Sequence, residues 1–208
     1  MTETAVRQRV GIFGGSFDPI HVGHLLIAEF VRERLNLSEV RFVPAAVSPL
    51  KQHQQPTEAK HRVEMIRLAT GGNARFKLDE RELRRGGPSY TVDTLAELKA
   101  ENPESDLVFL MGADSLADLH AWREPERICE LAFVAIVARG GRPEPDLAKL
   151  QKYLPNERAS QAAEHLIRVP QFEISSTEIR ERVREGKSIR YQVPSAVEAY
   201  IAAAELYR

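Results

Sequence analysis

The stretch GIFGGSFDPIHVGH, residues 11–24, places two histidines three positions apart just behind a glycine pair and a proline turn. Imidazoles donate hydrogen bonds to phosphate oxygens, and a nearby polyanion raises their pKa so that they add positive charge. Gly14 and Gly15 lack a Cβ and can adopt backbone angles closed to other residues, so a phosphate could approach main-chain N–H groups. After Asp18-Pro19 a helix is expected from Ile20 onward, and its start offers unpaired N–H donors and the positive end of the helix dipole. His21 and His24 then project from one side of the first turn, with Gly23 keeping the space between them open. These features describe a cradle for a triphosphate.

Three other readings compete for the same residues. The glycines could do no more than make a tight strand-to-helix turn. The histidines could hold a metal, although no third histidine or cysteine stands at zinc spacing and Asp18 is the only adjacent carboxylate. A dinucleotide-binding turn is disfavoured because the chain has neither G-x-G-x-x-G nor a complete P-loop; the EGKS at 185–188 lacks the preceding glycine.

A second anion pocket is written into ISSTEIRERVREGK, residues 174–187. Ser175 is an N-cap candidate with Glu178 three residues on, a capping box, and Ile174 with Ile179 forms a hydrophobic staple. Ser176 and Thr177 add hydroxyls beside free N–H groups, and Arg180 follows one turn later. Taken alone, the pattern is better explained as a merely well-capped helix; two such helix starts together shift the balance toward the polyanion.

The elements that must position these groups alternate. Apolar, β-branched runs at 10–13, 40–43, 76–78, 107–111, 133–138 and 166–169 read as buried strands, and helical patterns at 25–35, 58–69 and 91–98 lie between them. Alternation of this kind predicts an α/β fold: a Rossmann-like open parallel sheet with helices on both faces. Ligands of such sheets bind beyond the carboxyl ends of the strands, here in the loops after 13, 43, 111 and 138. Residues 48–57 and 139–146 are the flexible candidates. A single domain over residues 1–208 is expected, its helical part from about 174 packing on the rest.

Composition narrows the class. With 208 residues, 43% of them hydrophobic, the chain can bury one sizeable core. Apolar runs fall far short of the roughly 20 residues that a membrane-spanning helix needs. A net charge of -1 supplies no global field for nucleic acid or anionic lipid, so an anionic ligand must be met by local groups. One cysteine, Cys129, and an N-terminus without a signal-peptide pattern fit the cytoplasm. Oligomeric state is left open, a homo-oligomer included.

In the order and spacing of GGSFDPIHVGH (14–24), SPLK (48–51), PSYTVDTL (88–95), GADSLADLHAW (112–122), VAR (137–139) and ISSTEIR (174–180), the sequence resembles the H-x-G-H nucleotidyltransferases, and within them the bacterial nicotinate-nucleotide adenylyltransferases. The resemblance spans nearly the whole chain. It implies transfer of AMP from ATP to nicotinate mononucleotide by direct in-line attack, without a covalent intermediate, releasing pyrophosphate and forming deamido-NAD. It further implies that His21, His24, Lys51 and Arg180 are catalytic, Lys51 bridging donor and acceptor phosphates. ATP would be held by Gly14, Gly15, Ser16, Phe17, His21, His24, Arg139, Ile174, Ser175, Ser176, Thr177 and Arg180, with Mg2+ on the pyrophosphate oxygens, largely through water. For the acceptor it implies Ser16, Lys51, Tyr90, Thr91, Gly112, Asp114, Trp122 and Arg123. Arg123 departs from the pattern, since an aromatic often follows that tryptophan in the family. The alternatives are a sibling enzyme acting on nicotinamide mononucleotide or another phosphate acceptor, or an ATP-binding regulator without turnover.

Overall fold

The computed structural model describes residues 7–49, 56–141 and 143–208. In chain order the elements are β1 (Arg9–Gly15), α1 (Val22–Arg34), β2 (Glu39–Pro44), α2 (Ala59–Thr70), β3 (Phe76–Leu78), α3 (Arg81–Arg85) and α4 (Thr91–Glu101), followed by β4 (Asp106–Gly112), α5 (Ala113–Ala117), α6 (Pro125–Leu131) and β5 (Ala132–Arg139). The chain continues through α7 (Ala148–Gln151), β6 (Leu166–Val169), α8 (Ser176–Arg184) and α9 (Ser195–Ala203). All six strands are parallel, in the order β3-β2-β1-β4-β5-β6. The predicted strands are therefore all present, each extending at most two residues beyond its expected bounds.

Strand alternation sorts the core into two layers. Along β4, Val108 and Leu110 join Ala28, Met65, Ile179 and Val197 on one face, whereas Leu107, Phe109 and Met111 join Leu95, Leu116 and Ile128 on the other. Helices α1, α2, α8 and α9 thus cover one face, and α4 to α7 the other. Such double burial is why the strands read as unbroken apolar runs rather than alternating ones. No described helix is long and apolar enough to cross a membrane.

The chain winds from β1 outward to β3 and then returns to β4 on the opposite side of β1. That reversal opens a crevice between the carboxyl ends of β1 and β4, the place where open α/β sheets receive their ligands. Gly14, Gly15 and Gly112 all lie there.

Candidate active site

A cavity of about 690 Å³ occupies this crevice, walled by Ser16, His21 and His24 on one side and by Ser175, Thr177 and Arg180 on the other. The two helix starts singled out in the sequence therefore share one space. They are also joined directly: the Ser176 hydroxyl donates to the Pro19 carbonyl at 2.9 Å, and Arg180 Nη1 donates to the Asp18 carbonyl at 2.7 Å. Ser176 consequently uses its hydroxyl as a weld between the helix starts instead of offering it to an anion. Ser175 is the N-cap, its hydroxyl accepting the Glu178 N–H at 3.1 Å, which leaves the following amides of α8 facing the cavity as donors.

The first helix begins two residues later than expected, because His21 is extended (φ -141°, ψ 170°) and is itself the N-cap of α1. His24 then falls at the third helical position, and its Nδ1 accepts the His21 backbone N–H at 3.2 Å. A neutral ring accepting at Nδ1 carries its proton on Nε2. The H-x-G-H spacing thereby fixes a tautomer. The two rings stack with centroids 3.7 Å apart. Gly23 does not hold space open, as its Cα hydrogens are already packed: a Cβ there would lie 3.0 Å from the His21 ring and 3.2 Å from Phe172. Burial, with His21 alongside, pushes the His24 pKa well below its ordinary value. Within the protein's own field His24 is a neutral donor at pH 7, and a polyphosphate would act in the opposite direction.

Gly14 and Gly15 serve differently from the expectation. Neither adopts positive φ, and both are the last residues of β1. What matters is the missing side chain: at Gly15 a Cβ would press on the Phe17 ring at 3.1 Å, and at Gly14 it would project into open space. The strained residue is Phe17, at φ 47°. Its turn carries the ring back among Phe13, Phe42 and His24, where it is 2% exposed. Phe17 is thus a core residue that can offer a ligand its main chain alone.

Two further chambers share walls with the central cavity. One, of about 280 Å³, is lined by Gly14, Gly15, Tyr90, Thr91, Trp122 and Arg123 and shares Ser16 with the centre. Trp122 stands half-buried, edge-on to Phe109 at 6.0 Å, and Arg123 lies over the Tyr90 ring at 5.0 Å. Pro125 takes the first position of α6 after a left-handed Glu124. The other chamber, of about 330 Å³, is largely apolar, with Phe13, Ile27, Val137 and Pro143 in its wall, and shares Ile27 and Asp114 with the centre. Gly112 opens into this second chamber, so the expected acceptor set divides: Tyr90, Thr91, Trp122 and Arg123 line one chamber, whereas Gly112 and Asp114 line the other, Asp114 bordering the centre as well. Ile174 borders the central cavity. Arg139 ends β5, with its backbone alone described, and Lys51 lies outside the described residues.

Sequence reasoning missed Arg62, Glu82 and the partners that satisfy Asp18. Arg62, 2% exposed, donates to the Ser16 and Thr57 carbonyls, each at 2.9 Å. The Asp18 carboxylate, also buried, accepts from the Tyr207 hydroxyl at 2.7 Å and from the Thr57 N–H at 3.1 Å. Glu82, which lines the acceptor-side chamber, accepts from Thr94 at 2.6 Å; burial raises its pKa. An arginine beside Val63, Met65 and Ile66 on a helix was the available signal for Arg62, since a charge on a core-facing stripe demands partners.

A family model described as cytidylyltransferase-like matches residues 12–182. The protein of Thermomicrobium roseum named probable nicotinate-nucleotide adenylyltransferase is 48% identical over 97% of this chain and 92% of its own. That of Rhodopirellula baltica, with the same name, is 44% identical over 96% of this chain and 93% of its own. The chain belongs to this family of nucleotidyltransferases, on its nicotinate-nucleotide adenylyltransferase branch. A solved structure of Plasmodium falciparum nicotinic acid mononucleotide adenylyltransferase complexed with NaAD superposes with a TM-score of 0.78 over 97% of this chain and 98% of its own, at 23% identity, which speaks for the fold. The matched range runs from within β1 through the histidine helix to the start of α8.

Proposed function

We propose that the protein transfers AMP from ATP to nicotinate mononucleotide, giving deamido-NAD and pyrophosphate. The observation that carries this reading is the convergence of two helix starts on one cavity flanked by two chambers of different lining. In the central cavity the triphosphate meets the His24 Nε2–H, the Arg180 guanidinium and the amides of α8. The apolar chamber beside Ile27 suits the adenosine, and the aromatic chamber suits the pyridine ring, with Tyr90 and Trp122 at its walls and Thr91 at the start of α4. Ser16, common to the centre and the aromatic chamber, stands where donor and acceptor phosphates meet.

The acceptor's phosphate oxygen attacks the α-phosphorus of ATP; the new P–O bond forms as the bond to the bridging oxygen breaks, and the electron pair leaves with pyrophosphate. No group on the protein has to form a bond to phosphorus. The protein's work is to bring two anions together and to stabilise the charge that builds on the leaving group. His24 and Arg180 donate to that charge, and we assign His21 and Lys51 to the same task. Mg2+ enters as part of the substrate Mg-ATP: among the described residues no three His, Cys, Asp or Glu side chains gather to hold a metal, and Asp18 already has both oxygens engaged. The 1–208 chain acts as one nucleotidyltransferase domain, a reading supported by the bonds from Ser176 and Arg180 to the Asp18-Pro19 turn. The reducing cytoplasm suits its single, buried Cys129 thiol.

Pyrophosphate release with Mg-ATP, measured in parallel with nicotinate mononucleotide, nicotinamide mononucleotide and phosphopantetheine, tests the reading. Preference for the first supports it. Equal or greater turnover with either of the others replaces it with a sibling activity, and no release with any of them removes it.

A further inference from the structure

The loop between β1 and α1 carries the groups that decide where His24 points, yet its own hydrogen-bonding groups are satisfied from remote parts of the chain. One of its buried polar groups is the Asp18 carboxylate, 7% exposed. A carboxylate in that position must be paired or hydrogen-bonded to be tolerated. One oxygen takes the Thr57 N–H at 3.1 Å, and the other takes the Tyr207 hydroxyl at 2.7 Å, from a residue 189 positions further along the chain. Arg62 completes the arrangement: it donates to carbonyls on either side of the carboxylate, at Ser16 and Thr57, and its guanidinium feels the Asp18 charge.

The chain leading to Tyr207 is shaped for this contact. Glu205 sits at φ 51° and Tyr207 at φ 65°, two non-glycine residues in the left-handed region within three positions. That conformation is unfavourable for residues with a side chain and persists only where surrounding contacts hold it. The result is a reversal after α9 that packs Tyr207 against the core and aims its hydroxyl at Asp18, with the Met65 Sδ 3.9 Å from the same oxygen. Tyr200, from the same segment, makes a comparable bond to His61 at 2.9 Å, on α2 and away from the loop.

We infer that Tyr207 is a positioning residue of the transferase reaction, its hydroxyl latching Asp18 so that the loop from Ser16 to His21 presents His24 in its Nε2–H form to the phosphates. The inference rests on the adenylyl-transfer reading for its kinetic consequence. Its structural consequence is independent of that reading. Without the hydroxyl, a buried carboxylate oxygen loses its partner and the cheapest remedy is for the Asp18 side chain to turn toward water, releasing Thr57 and shifting the loop. His21 follows three residues later, and the His21 amide is what holds His24 Nδ1 as an acceptor. Displacements of about 1 Å at a reacting group are enough to cost up to 10²-fold in rate.

Tyr207→Phe removes one oxygen and keeps the packed ring, so folding is not at stake; Tyr200→Phe removes the comparable oxygen from the same segment and serves as the control. Two readouts are taken on wild type and both variants: kcat and KM for pyrophosphate release with Mg-ATP and nicotinate mononucleotide, and the tautomer of His24 from imidazole nitrogen shifts by NMR. In Tyr207→Phe, kcat should fall about tenfold with KM for ATP changed less than threefold, and His24 should become a mixture of tautomers. Tyr200→Phe should keep both the wild-type rate and the wild-type tautomer. The inference is overturned if Tyr207→Phe retains the wild-type tautomer, or if both variants lose kcat alike, which would indicate general loosening of the segment. A wild type without turnover but with the tautomer difference intact would remove the proposed reaction and leave the latch standing.

Discussion

At the scale of single residues, the chemistry depends on where one proton sits. His24 is placed by a local rule: as the third helical residue it can receive the N-cap amide, and receiving it at Nδ1 forces the proton onto Nε2. His24→Ala should therefore lower kcat by about 10² or more, the loss typical of removing one charge-stabilising donor, with a smaller effect on KM for ATP because Arg180 and the amides of α8 remain. Steady-state kinetics measures it, and an unchanged kcat removes His24 from the reaction. Arg123 acts at the other end of the site. Its guanidinium lies 5.0 Å from the Tyr90 centroid and 3.4 Å from Asp93, half-exposed in both contacts. Exposed interactions of this kind contribute about 0.5–1 kcal/mol, so Arg123→Ala should raise KM for nicotinate mononucleotide about two- to fivefold and leave KM for ATP unchanged. Equal shifts in both constants would place Arg123 outside the acceptor chamber's function.

Among elements, the start of α8 was legible in the sequence, and the start of α1 partly so, for a common reason. Ser175 and Glu178 are three residues apart, so their bond is decided by local spacing that a reader of the sequence can count. His21 and Asp18-Pro19 were visible as a turn, yet the extended His21 that delays the helix depends on partners far away in sequence, including the Gln192 carbonyl that accepts the Val22 N–H at 2.9 Å. The glycine pair shows the same division. Unusual backbone angles were expected at the pair, but the strained backbone fell at Phe17, because only tertiary packing makes the Phe13–Phe42 pocket that pulls that ring inward. Arg62, Tyr207 and Glu82 carry no local signature strong enough to name their partners. One prediction belongs to this scale. Ser175→Ala removes an N-cap, and the cost should be about 1 kcal/mol of stability, read as a lower urea midpoint with unchanged slope; a loss below a few tenths would mean that the Ser176 and Arg180 bonds to the preceding loop hold α8 in place on their own.

For the whole molecule, six strands and their direction followed from alternation and burial, because a doubly covered parallel sheet leaves runs of apolar residues that no other layer arrangement requires. The same double covering buries polar groups that must be satisfied behind the sheet, and one of them titrates. His165 is 1% exposed, stacks on Phe133 with centroids 4.1 Å apart, and bonds the Val134 carbonyl through Nδ1 at 2.7 Å. A carbonyl only accepts, so Nδ1 carries the proton in the neutral ring. Burial lowers the pKa of His165 below its ordinary 6.5. The unfolded chain therefore takes up this proton first as pH falls below about 6.5, and stability declines with it, by at most about 1.4 kcal/mol per pH unit for one proton. His24 contributes with the same sign, and Glu82, whose pKa burial raises above its ordinary 4.5, with the opposite one. His165→Asn keeps a donor near the Val134 carbonyl and cannot titrate. Between pH 7 and pH 5.5 its urea midpoint should fall less than that of the wild type, although it starts lower. If the two midpoints fall in parallel, His165 takes up its proton to the same extent in the folded and unfolded chains over this range, and the acid sensitivity belongs to other groups, His24 among them.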